Sequence, residues 1–150
     1  MKKLFTLFAL IGIMLNVESY ACNEAGTTGI VEDNNLNISM FDKQNKDMSE
    51  EVFNKVIDQV ETVYAPIVSE MGGKLKVVRK WSDGTVNAYA QRQGTTYLVS
   101  MFGGLARHAT ITPDGLALVV CHEIGHHIGG APKKAGSMGG AWASNEGQAD

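Results

Sequence analysis

"ALVVCHEIGHHIGGAP", residues 117–132, holds three of the chain's four histidines, one of its two cysteines and a glutamate inside an apolar run. Burying polar, titratable groups is costly unless hydrogen bonds, ion pairs or a metal compensate. Upstream, Thr112-Pro113-Asp114 is a helix start: a hydroxyl cap, a proline at the first helical position and an acid in the first turn. Gly129-Gly130, with Pro132 beyond, closes the segment, so the pattern predicts a helix over 113–128. Within it, His122-Glu123-Ile124-Gly125-His126 fits H-E-x-x-H. Four residues advance a helix by about one turn, which stacks His122 and His126 on one face. Both imidazoles there can reach one ion, and Glu123 lies beside them, near enough to touch a metal-bound water. Zinc suits the arrangement because it takes imidazole nitrogens in tetrahedral geometry and keeps a position open. It also lowers the pKa of its water to about 7, after which a carboxylate can take the proton. The pattern arises in fewer than about 1% of shuffled chains of this composition. The bland alternative, a solvated histidine pair on an amphipathic helix, sits poorly with the apolar residues at 116–120.

A catalytic zinc ordinarily takes a third protein ligand. The candidate is Glu146 in Asn145-Glu146-Gly147-Gln148-Ala149-Asp150, where Asp150 falls four residues on and shares its helical face. Asp150 is then placed to hydrogen-bond the outer nitrogen of a liganding histidine and fix its tautomer. Gly147 and Ala149 are small and would let this helix approach the histidine helix closely. Two acids at this spacing alone usually mark a solvated face; the H-E-x-x-H upstream reverses that reading. His127 projects about 100° around the helix from His126 and reads as a bystander. His108 reads as a loop or surface histidine, and Cys121 as a small buried thiol.

The rest of the chain sets the frame. Its 150 residues, 44% hydrophobic and 19% charged, suit one globular domain or a piece of one. A formal net charge of −3 offers no basic field for nucleic acid. Met1-Lys2-Lys3, an apolar run over 4–17 and Ser19-Tyr20-Ala21 before Cys22 predict a cleaved signal peptide over 1–21. The apolar run is too short to span a bilayer comfortably as a mature helix. Export to the periplasm or beyond is therefore expected. Three fates of Cys22 stay open: plain cleavage before it, which leads, acylation as a lipoprotein anchor, which alone would bring membrane association, or a disulfide with Cys121.

Residues 22–47 form a polar N-terminal extension with an expected short strand around 36–41. A helix opens at Ser49 with Glu50 and Glu51 in its first turn. Apolar residues at 52, 53, 56, 57, 60, 63, 64, 67 and 68 keep a 3.6-residue period, and Pro66 should kink or break it before Gly72-Gly73. Runs at 74–81, 85–90 and 95–101, separated by turns at Ser82-Asp83-Gly84 and 91–94, predict a small antiparallel sheet that Gly103-Gly104 breaks. A loop over 131–141 leads to a last helix starting at Trp142 or Ala143. The fold class is α+β, with its domain over 48–150.

The pairing of His122-Glu123-x-x-His126 with Glu146-x-x-x-Asp150 resembles the gluzincin metallopeptidases. Within them it is most similar to the family of the HtpX heat-shock protease and the CAAX prenyl protease, which has soluble and lipid-anchored bacterial envelope members. The runs at 86–90 and 96–100, Gly104-Leu105 and the stretch 112–126 resemble that family's strand, strand and histidine-helix order. The resemblance covers about residues 50–150 and is strong at the two motifs. It implies a zincin-like domain, with the small antiparallel sheet packed on helices that include the H-E-x-x-H helix. It implies His122, His126 and Glu146 as ligands of one Zn2+, Glu123 as the general base and Asp150 as their support. By the same resemblance Asn87, Ala88, Tyr89 and Ala90 form an edge strand that takes substrate backbone by strand addition.

The implied activity is a zinc metalloendopeptidase of the cell envelope acting on protein or peptide substrates. In gluzincins a His or Tyr further downstream commonly steadies the oxyanion, and the helix bearing the third ligand continues. A chain ending at Asp150 is therefore expected to be a truncated form of a longer protein. The alternative is a zinc-binding, non-hydrolytic envelope chaperone or scaffold; the third reading is an amidase acting on a non-peptide cell-wall substrate.

Overall fold

The structure is a computed structural model that describes residues 19–20, 23–24, 27–28, 30–31, 34–42, 45, 47–134 and 142–150. Most of the expected signal peptide, Cys22 and the centre of the loop after α3 lie outside the described residues. In chain order the elements are β1 (Ser19–Tyr20), β2 (Asn23–Glu24), β3 (Thr27–Thr28), α1 (Glu50–Glu70), β4 (Lys74–Lys80) and β5 (Ala88–Gln93). Then follow β6 (Thr96–Phe102), α2 (Gly103–Arg107), α3 (Pro113–Ile128) and α4 (Glu146–Ala149).

The two long helices begin where their capping residues predict. The Ser49 hydroxyl accepts from Val52 N at 3.2 Å, and the Thr112 hydroxyl accepts from Gly115 N at 3.0 Å. α1 runs through Pro66 to Glu70, so Pro66 does not break it. Pro66 is exposed, so the carbonyl it leaves without an intrahelical donor stays next to water.

The sheet is mixed rather than purely antiparallel. β5 and β6 form the expected hairpin through Gly94, whose φ of 56° suits the turn. β4, however, pairs with β6 in parallel, from Lys74 opposite Thr96 to Lys80 opposite Phe102. The three strands lie in the order β5-β6-β4, and the two residues of β1 extend the sheet beyond β5. Ser82-Asp83-Gly84 is thus a crossover at the end of the sheet. The buried Arg107 holds it by donating to the Trp81 and Asp83 carbonyls at 2.5 and 3.1 Å. A Cβ on Gly103 would sit 1.9 Å from the Trp81 carbonyl oxygen, so that glycine is what lets α2 meet the crossover. Turn residues are alike for a hairpin and a crossover, which is why the local pattern did not distinguish them.

α1 lies against β4 and α3, while α3 also lies against β5 and β6. Phe53 and Ile57 from α1, Val99 and Met101 from β6, and Leu116, Val120 and Ile124 from α3 share one buried cluster. The N-terminal segment contributes to it: Ile38 and Met48 are buried there, with Ile30 and Val31 packed alongside. The expected strand around 36–41 is reduced to a single bridge between Asn37 and Thr85. No helix among the described residues is long and apolar enough to cross a membrane.

The last helix starts at Glu146, later than the sequence suggested. Residues 143 and 144 spend their backbone bonds elsewhere: Lys134 N donates to Ala143 O, and Ser144 N donates to His126 O, both at 2.8 Å. Those bonds tie the segment to α3 and to the chain beyond it before it can turn helical.

Candidate metal centre

Helical spacing brings the rings of His122 and His126 together edge to face, with centroids 4.7 Å apart. Glu146 closes the group from α4. Its Oε2 lies 3.0 Å from His122 Nε2 and 3.5 Å from His126 Nε2. One donor atom from each of the three residues falls within 4.8 Å of the other two, so His122, His126 and Glu146 form a group that could hold a metal ion.

Each of the three side chains is steadied from behind by a different partner. His122 Nδ1 donates to Asp150 Oδ1 at 2.7 Å, as the i,i+4 spacing of the two acids suggested. His126 Nδ1 donates to the Ser144 carbonyl at 2.9 Å, which leaves the Nε2 lone pair facing Glu146. Lys134 donates from Nζ to Glu146 Oε1, leaving Oε2 turned to the histidines. Burial holds the His126 imidazole below the usual histidine range, against the opposing pull of the Ser144 carbonyl and Glu146. The ring is therefore neutral near pH 7. Burial works to raise the Glu146 carboxyl, but Lys134 and the two histidines outweigh it and hold it below its ordinary value.

Glu123 is fully buried on α3, between the two histidines in sequence. The close approach of α4 depends on α3 rather than on α4 itself. A Cβ on Gly125 would meet the Ala149 carbonyl oxygen at 1.9 Å, whereas Gly147 has open space around it. Thus the glycine inside the H-E-x-x-H motif admits the carboxylate helix. Of the two small residues that the sequence reading credited, Ala149 is at this contact and Gly147 is not.

Asn87, Ala88, Tyr89 and Ala90 lie in and just before β5. Asn87, Ala88 and Ala90 are buried, and Tyr89 is half-buried with its ring 5.4 Å from that of Phe102. Ile30 N donates to Ala88 O at 2.9 Å, and the Asn87 side chain exchanges two 3.2 Å bonds with the backbone of Val31. Beyond them, Ser19 and Tyr20 pair with Arg92 and Gln91. The outer side of β5 therefore already carries the chain's own N-terminal segment.

His127 is not idle. Burial, with the nearby Arg92 charge, pushes its imidazole down to about 3, and it bonds to β5 and β6. Lys134, Ser144 and His127 were all missed from sequence. The only signals were the paired lysines after Pro132 and an aromatic at 142 in a Gly- and Ala-rich stretch. Cys121 is a free thiol beside the Tyr64 hydroxyl. No family model, no curated protein and no solved structure matches the chain.

Proposed function

We propose that this chain is a zinc metalloendopeptidase domain of the gluzincin type, exported to the cell envelope, that hydrolyses peptide bonds in protein substrates. The observation that carries the reading is the convergence of His122 Nε2, His126 Nε2 and Glu146 Oε2, with Glu123 buried on the same helix as the two histidines. The donor set, two imidazoles and one carboxylate, is one that zinc favours. The 3.0 and 3.5 Å edges also match the spacing of about 3.3 Å between donors of a tetrahedral zinc with bonds of about 2.0–2.1 Å.

When bound there, zinc supplies a Lewis acid able to polarise a carbonyl and to lower the pKa of a water to about 7. The chain's own residues supply the rest. Glu123 takes a proton from the attacking water and returns it to the leaving amine, as a positioned carboxylate can in general acid–base catalysis. Asp150 and the Ser144 carbonyl keep the two imidazoles in the tautomer that leaves Nε2 unprotonated. A substrate strand on the outer side of β5 requires Ile30 and Val31 to leave that edge.

Glu123→Gln should retain one equivalent of zinc and lose hydrolysis of an unfolded protein such as casein by at least about 100-fold. Retained, chelator-sensitive turnover by this variant would sink the mechanism. A second reading, a zinc-bound chaperone or scaffold without hydrolytic activity, is favoured by how the ligands are shared. A metal here would cross-link α3 to the 142–150 segment and so stabilise the fold by itself. One equivalent of bound zinc with no cleavage by the wild-type chain selects that reading.

A further inference from the structure

Glu146 sits on a helix of four residues, too short to fix its own orientation by backbone bonds alone. Something outside it must set where the carboxylate points. Ser144, two residues earlier, is tied in both directions to His126 through its N–H and its carbonyl. The largest side chain on this stretch is Trp142, and its ring stacks on that of His127 at 4.8 Å with 21° between planes.

His127 is built to receive it. Its other face stacks on Tyr97 at 5.0 Å and 15°. Arg92 Nε donates to its Nδ1 at 3.3 Å, so Nδ1 carries the lone pair and the proton lies on Nε2. That Nε2–H points to the Leu98 carbonyl at 3.2 Å. The Arg92 guanidinium also covers the Tyr97 ring, 3.4 Å from its centroid. The imidazole is thereby fixed in tautomer by β5 and β6, and in plane by two flanking rings.

We propose that His127 is a positioning residue of the metal centre: held to β5 and β6 on one side, it is the platform on which Trp142 docks the segment carrying Ser144 and Glu146. The proposal rests on the reading of His122, His126 and Glu146 as metal ligands. It gives the adjacent histidines of the motif separate tasks. His126 faces the metal, and His127 faces the sheet and sets the distance to the third ligand.

The test is zinc and cobalt(II) titration of the full chain, with the metal-free thermal unfolding of each variant measured alongside. Trp142→Ala should weaken zinc binding about 10-fold, the lower end of what loss of a ligand's supporting group costs. Its cobalt visible spectrum should move toward that of Glu146→Gln. Trp142→Phe, which keeps a ring on His127, should restore both. His127→Ala should repeat the Trp142→Ala result, and Ile57→Ala, a core cavity in α1, should lower the melting temperature without changing affinity or spectrum. Wild-type affinity and spectrum in folded Trp142→Ala would overturn the proposal and leave the metal centre standing. Absence of metal binding by the wild-type chain would overturn both. Because Trp142 lies outside α3, its variant decides the question even if His127→Ala does not fold.

Discussion

The side chain of His126 on α3 has no solvent exposure, whereas that of Glu146 on α4 keeps 51% of its own and that of Asp150 keeps 74%. α3 is a capped sixteen-residue helix whose Leu116, Val120 and Ile124 belong to the main core. The segment 142–150 has one short helix, and it is held by discrete contacts: the Trp142 ring stack, bonds to α3 and to residues 129–134, and the gap above Gly125. Apolar burial thus positions the histidines, while directional polar contacts position the carboxylates. Fold stability and metal affinity should therefore respond to different substitutions.

The hardest test of that separation is in the core. Leu116→Ala removes a fully buried side chain from the first turns of α3, well before His122. It should cost about 2–5 kcal/mol in urea unfolding of the metal-free protein. Zinc affinity of the folded variant should change by less than about threefold, a bound set by ordinary additivity between sites with no shared partners. A larger loss would mean that the core tunes the centre as well as supporting it. The converse is Asp150→Ala, which takes the acceptor from His122 Nδ1 at an exposed position. Competition titration should show a loss of about 10-fold to 100-fold in zinc affinity. Unfolding of the metal-free form should stay within about 0.5 kcal/mol of wild type.

A group belonging to neither region gives the smallest effect and a baseline for both. Asp83 on the crossover accepts from the Thr85 backbone N–H at 3.0 Å and from its hydroxyl at 2.7 Å, and these bonds lower its pKa below 3.8. Because the folded value is the lower one, its contribution is complete above the ordinary carboxyl value and fades as pH falls through the folded value. Asp83→Asn should flatten the acid limb of metal-free stability between about pH 5 and 2, measured by chemical denaturation. At pH 7 zinc affinity should be untouched. A shift in affinity would show that the crossover communicates with the centre.

What could be read from the chain follows the same division. α3 was legible to the residue because its cap, its period and its terminating glycines are all local. Glu146 and Asp150 were legible because a helical turn fixes their spacing, and the structure brings both to the histidines. The parallel pairing of β4 with β6 was not legible, since it depends on which strand the crossover passes, and no local residue encodes that. The role of His127 was hidden for a related reason. Arg92, Tyr97 and Trp142 meet its ring only after β5, β6 and the final segment have come together. Gly125 occupies one of the motif's free positions, so the pattern itself says nothing about why a glycine stands there.

The clamp between Asn87 and Val31 has a consequence for the protein in company with its own copies. A sheet edge with unpaired N–H and C=O groups is a template for strands from other molecules, and proteins need some device to blunt it. Here Ile30 and Val31 take up positions along β5, with the Asn87 amide standing in for ladder bonds. These two residues of the polar N-terminal stretch thus guard β5 against intermolecular strand pairing. Colloidal behaviour is governed there, at the opposite end of the chain from the candidate metal centre.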